Sequence, residues 1–64
     1  MDLEDKIILC LRDDSLGTLS IAKKVIGKDA TKSQINPTLY SMEKRGLLIH
    51  HQKENIHMWS VNTV

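Results

Sequence analysis

The apolar residues of this chain change their spacing once, at Gly46, and that change limits what it can fold into. Before Gly46 they recur at helical intervals; after it they fall in two short runs on either side of a polar stretch. Leu3, Ile7, Ile8 and Leu11 make the stripe of a first amphipathic helix that ends by Asp13, Asp14 and Ser15. Residues 19–26 make a second, with Ile21, Ala22, Val25 and Ile26 on one side, Lys23 and Lys24 on the other, and a stop at Gly27. Thr31 with Gln34 three positions on is a capping-box signature, and it opens a third helix that runs to Arg45 with Gly46 in the C′ position. Its buried stripe is Ile35, Leu39 and Met42. Residues 47–49 then read as a strand, 52–55 as a polar turn and 56–61 as the returning strand of a hairpin. A short extended piece at 18–20 is a candidate third strand. Three helices closed by a small antiparallel hairpin predict an α+β fold, a winged helix-turn-helix. A three-helix bundle with a frayed tail is the alternative, but residues 47–49 and 56–61 carry enough β-branched and aromatic residues to favour the wing.

A chain of 64 residues is read as one domain spanning 1–64, too small for a two-lobed enzyme with a cofactor cleft. Phe is absent and the only aromatics are Tyr40 and Trp59, so the core is aliphatic and those two rings are not needed as bulk filler. Cys10 is the single cysteine, which points to a reducing compartment, cytoplasmic or nuclear. Beside the first apolar stripe, it reads as a small hydrophobe rather than a reactive thiol. The start carries acids where a signal peptide is basic, and the apolar run 7–11 is far short of the roughly 20 residues that span a bilayer, so neither a signal peptide nor a membrane span is expected. The net charge is +1, but residues 1–14 hold five acids against two bases, while the remainder is mildly basic and holds all three histidines. That balance falls well short of the strongly basic footprint of many nucleic-acid binders, and ordinary surface charge explains it equally well.

On the third helix Lys32, Asn36 and Tyr40 recur every four residues and form a continuous stripe beside the buried one. A cation, an amide and a phenol in line suit a phosphate backbone: charge, hydrogen bonds, and a ring face for a base or sugar. The plainer interpretation is a solvated Lys32 and a Tyr40 that covers the core edge. Pro37 permits two parses. If the helix begins after Thr31, Pro37 is its sixth residue, lacks the N–H that would bond Ser33 and costs up to about 3 kcal/mol. If Asn36 is instead an N-cap, Pro37 takes the favoured first position and the Asn36 side chain is spent on the helix end. The capping box at Thr31 favours the longer, kinked helix. His50 and His51 are adjacent on a strand and point to opposite faces, and no Cys or carboxylate cluster completes a tetrahedral set, so no metal is expected. No cofactor motif and no nucleophile, base and orienter trio can be assembled, so the domain is read as non-enzymatic, without a cofactor or a small-molecule substrate.

The segment 35–47, Ile-Asn-Pro-Thr-Leu-Tyr-Ser-Met-Glu-Lys-Arg-Gly-Leu, followed by Trp59 in the last strand, resembles the Zα domain, a winged-helix module that binds left-handed Z-DNA and Z-RNA. The likeness runs from the Ile7-Ile8 helix to Trp59, and its sharpest part is the Asn-x-x-x-Tyr pair with a downstream Trp. The family includes an RNA-editing adenosine deaminase, a fish Z-DNA-dependent protein kinase, a vertebrate innate sensor and viral antagonists. The resemblance implies that Asn36 and Tyr40 contact the zigzag phosphates and the exposed edge of a syn guanine, and that Lys32 binds phosphate. It implies too that Trp59 braces the tyrosine and reaches a phosphate through water. Asn55, Ile56 and His57 would contact the ligand from the wing, and His57 would stand near phosphate. Pro37 stands where many members have a phosphate-binding arginine, Ser33 where a second lysine is common, and Ile56-His57 where the wing usually has two prolines. The resemblance therefore implies a weaker, less salt-sensitive binder of left-handed double-stranded DNA or RNA, with pairing of two copies on one duplex open to it. Two rivals remain on the residues alone: a winged helix that reads B-DNA in the major groove, and one that docks a protein through Tyr40 and Trp59.

Overall fold

The structure, a computed structural model, describes residues 1–63. Among them lie three helices and three strands in the order α1 (Leu3–Leu11), β1 (Leu16–Gly17), α2 (Thr18–Val25), α3 (Lys32–Lys44), β2 (Leu48–Lys53) and β3 (Ile56–Val61). The strands form one antiparallel sheet in the order β1-β3-β2. The fold is α+β, a winged helix-turn-helix with β2 and β3 as the wing.

Each helix is placed by its apolar stripe and its ends. In α1, Asp2 caps the amino terminus by accepting from the Asp5 amide at 2.9 Å, while Ile7 and Leu11 are buried and Leu3 and Ile8 pack against the core edge. Ile21 and Ala22 of α2 and Ile35, Leu39 and Met42 of α3 complete the helical part of the core, with Ala30 from the intervening turn. Ile26, expected on the buried side of α2, is exposed, because the helix ends at Val25 and Ile26 is its C-cap. Leu48 and Trp59 close the core from the sheet.

Pro37 lies inside α3, whose N-cap is Thr31, so the longer parse holds and Asn36 is not a cap. The Thr31 amide donates to Gln34 Oε1 at 2.8 Å, and the Thr31 and Ser33 hydroxyls lie 3.0 Å apart. At the other end Gly46 adopts φ +82°, and Leu47 N–H returns to Met42 C=O at 2.9 Å. That six-to-one bond satisfies an orphan carbonyl, and only glycine takes this φ without steric cost. The chain leaves α3 turned back toward the sheet.

Two expectations about the strands change. The third strand is at Leu16–Gly17, not 18–20: Leu16 and Gly17 pair with Trp59 and Met58, and Thr18 already opens α2. The first hairpin strand extends to Lys53, because pairing with β3 continues to Lys53 opposite Ile56. The loop is therefore only Glu54 and Asn55, with φ of 50° and 68°. Two positive φ values in a two-residue loop are the signature of the turn whose twist matches a hairpin.

Candidate functional site

Helical spacing puts Lys32, Asn36 and Tyr40 along one face of α3, and the structure makes that face one wall of a groove of about 420 Å³. The wing supplies the opposite wall through Asn55, Ile56 and His57. The third side is the start of α2, residues Gly17, Thr18, Leu19 and Ser20. Gly17 gives that helix no side-chain cap, so N–H groups of its first turn have no intrahelical partner and carry the positive end of the helix dipole. Among the described residues no Asp or Glu lines the groove, in a chain that has eight.

Tyr40 is the ridge of the site. Its side chain is 44% exposed, and it also borders a second depression with Pro37, Ser41, Glu43 and Lys44. Behind it stands Trp59, fully buried, with ring centroids 5.2 Å apart and planes at 85°. An edge-to-face pair of this kind contributes about 0.5–1.5 kcal/mol beyond its buried area and limits the ring's motion. Asn36 is half-buried and, among the described residues, its carboxamide makes no hydrogen bond, so its donors and acceptor are free for a ligand.

Six of the nine residues singled out in the sequence therefore meet in one groove: Lys32, Asn36, Tyr40, Asn55, Ile56 and His57. Three do not. Ser33 is exposed on the first turn of α3 but outside the groove lining, its hydroxyl beside that of Thr31. Pro37 lies on the far flank of Tyr40, in the second depression. Trp59 is behind the wall, and its indole N–H, which the resemblance directed through water to a phosphate, is donated to the Thr18 hydroxyl at 2.9 Å. The indole braces the site without facing it.

Two features were not foreseen. The start of α2 as a groove wall follows from Thr18 being helical rather than extended. His50 is the other: its ring lies parallel to Trp59 at 4.2 Å and 10°, and meets the Tyr40 ring edge-on at 5.5 Å. Register explains this, because His50 pairs with Trp59 and so faces inward, whereas His51 faces outward with its Nε2 3.3 Å from the Ser60 hydroxyl. Alternation along the strand held this signal, since it puts His50 and His51 on opposite faces. Among the described residues no three His, Cys, Asp or Glu side chains are grouped to hold a metal.

Arg45 is tied to Glu4 of α1 and is not a free cation for a ligand. Cys10 donates to the Ile7 carbonyl at 3.2 Å, and burial pushes its thiol above the usual range. Comparison of the chain with family models, with curated proteins and with solved structures returns no match.

Proposed function

We propose that this domain binds left-handed double-stranded nucleic acid as a Zα-like module, gripping the phosphate backbone by shape and charge and so stabilising the left-handed form. The observation that carries the reading is the groove itself. The i, i+4, i+8 series Lys32, Asn36 and Tyr40 faces Asn55, Ile56 and His57 of the wing across an acid-free gap.

The chemistry of each wall fits a polyanion. Lys32 neutralises charge, Asn36 offers an unspent amide to phosphate oxygens or bridging water, and Tyr40 presents a braced ring to a base or sugar. Ile56, 56% exposed at the wing tip, offers apolar surface to the sugar-phosphate chain. Because Tyr40 is already held by Trp59, little side-chain entropy is lost on binding. A protein that binds the left-handed form and not the right-handed one shifts the duplex equilibrium by its differential affinity, and no base-edge code is required. Lys32 is the only Lys or Arg among the described residues that line the groove, so the salt dependence of binding should be shallow; Lys32→Ala should lower its slope by about one phosphate equivalent.

Circular dichroism of an alternating CG duplex tests the reading. Inversion of the spectrum on adding the domain is the expected result, with Tyr40→Ala and Asn36→Ala losing it while each still unfolds in a single cooperative thermal transition. Binding with an unchanged right-handed spectrum would assign the domain to B-DNA instead. Inversion that survives in both variants would remove the groove from the argument.

A further inference from the structure

Glu43, His50 and His57 form a line that ends in the groove. Glu43 Oε2 lies 3.9 Å from His50 Nδ1, and His50 Nε2 lies 2.7 Å from His57 Nδ1. The two imidazoles are nearly parallel, 16° apart with centroids at 4.8 Å, as an edge-to-edge nitrogen contact requires. A contact this short holds one proton, since two N–H groups or two lone pairs facing each other would repel. Glu43, too far for a hydrogen bond but facing His50 Nδ1, biases electrostatically which ring carries it. His50 Nδ1 faces a carboxylate, and a proton on that nitrogen is favoured over a lone pair there. His50 Nε2 is then the acceptor and His57 Nδ1 the donor. A neutral His57 has no second proton, so its remaining nitrogen, Nε2, is an acceptor. Phosphate oxygens are acceptors too, and the two cannot bond.

We infer that His57 is a phosphate-oxygen subsite that operates only with uptake of one proton, and that Glu43 and His50 impose this by fixing the neutral tautomer of His57. The inference rests on the groove being a polyanion site. The proton adds to His57 Nε2; the imidazolium then donates Nδ1–H to His50 and Nε2–H to the phosphate oxygen, and no other bond changes. The groups around this pair act in both directions. Lys32 of α3, which shares the groove, opposes the added charge; Glu43 of α3 and the incoming phosphate favour it. Tyr40 meets His50 edge-on and is uncharged, Gln52 pairs with His57 across the wing, and the α2 residues in the groove carry no side-chain charge. Glu54, in the wing turn, is the remaining acid near this end of the sheet.

Long-range ¹H–¹⁵N spectra of the labelled domain read histidine tautomers directly, without any ligand. At about pH 8 the expected state of His57 is neutral with the proton on Nδ1; a proton on Nε2 instead overturns the inference. Tripolyphosphate and the alternating CG duplex are then added at about pH 7. His57 should become doubly protonated with each, and duplex affinity should fall by up to about tenfold per pH unit from about pH 7 to about pH 8, the slope of one linked proton. Glu43→Gln, which lets either His50 tautomer form, should flatten that slope to less than about twofold per unit, and His57→Asn should abolish it. A His57 that stays neutral in the presence of duplex whose spectrum has inverted refutes the inference and leaves the proposed function standing. Protonation by tripolyphosphate with no duplex binding does the reverse.

Discussion

Replacing Thr18 with valine isolates the contact on which the site's geometry depends. Trp59 is completely buried and Thr18 is 6% exposed, and the 2.9 Å bond from the indole N–H to the Thr18 hydroxyl is the only partner that N–H has among the described residues. Valine keeps the shape of threonine and removes the acceptor. Trp59 is fully buried, so the variant bears the desolvation of an unsatisfied buried donor, about 1–3 kcal/mol. Against a net stability of roughly 3–10 kcal/mol for a chain of this length, that is a large fraction. At about 4–8 °C per kcal/mol for a domain this small, the melting temperature should fall by roughly 4–24 °C. Thr18→Ser keeps the oxygen and should lose much less. In the Thr18→Val background, Trp59→Phe should cost less than it does in wild type, because the unsatisfied N–H leaves with the indole. Thermal unfolding by circular dichroism with urea titrations reads all four variants. A Thr18→Val domain that melts within about 1 °C of wild type would refute the reasoning, as would Thr18→Ser losing more than Thr18→Val.

Three further outcomes follow from local geometry. Pro37→Ala restores the amide that α3 lacks toward Ser33 and should raise stability by about 1–3 kcal/mol, read as a higher urea midpoint at unchanged slope. Glu54→Asn puts a residue tolerant of positive φ where the hairpin turn holds glutamate at 50°, and should add a few tenths to about 1 kcal/mol to thermal stability. Burial raises the Cys10 thiol above its ordinary value, so at about pH 8 iodoacetamide should alkylate it several-fold more slowly in the folded domain than in denaturant.

The parts of the fold that were legible in the sequence are those governed by local signals. Thr31 and Gln34 marked the start of α3, Gly46 its end, and the stripe Ile35, Leu39 and Met42 its buried face, all as found. The i, i+4 stripe on the neighbouring face likewise brought Lys32, Asn36 and Tyr40 to one groove. What was misplaced depended on pairing between distant segments. Strand β1 is two residues long and exists only because Trp59 and Met58 lie beside it, so nothing in residues 16–20 could locate it. The extension of β2 through His50, His51 and Gln52 carries none of the β-branched or aliphatic residues that mark a strand; register with β3 and the two-residue turn supply it instead. The direction of the Trp59 indole N–H was equally out of reach, since its acceptor is 41 positions away.

Trp59 is the reason the three walls of the groove keep their places. Its N–H fixes the first residue of α2 and its ring edge supports Tyr40 of α3, two elements that line the groove, while its face lies against His50 of β2, which in turn contacts His57 of the wing wall. A chain of this size cannot spread such positioning over many contacts, because its core is small and Trp59 is the one aromatic ring buried in it among the described residues. Substituting Trp59 therefore disturbs the fold and the site together, and loss of binding there cannot distinguish a contact from a support. Tyr40 and Asn36 can make that distinction, because each presents side-chain atoms to solvent while the neighbouring Leu39 and Ile35 carry the packing of α3. The same logic ranks the histidines: His51 is an outward wing residue whose change should leave the groove intact, whereas His50 lies between Glu43 and His57 and links the two.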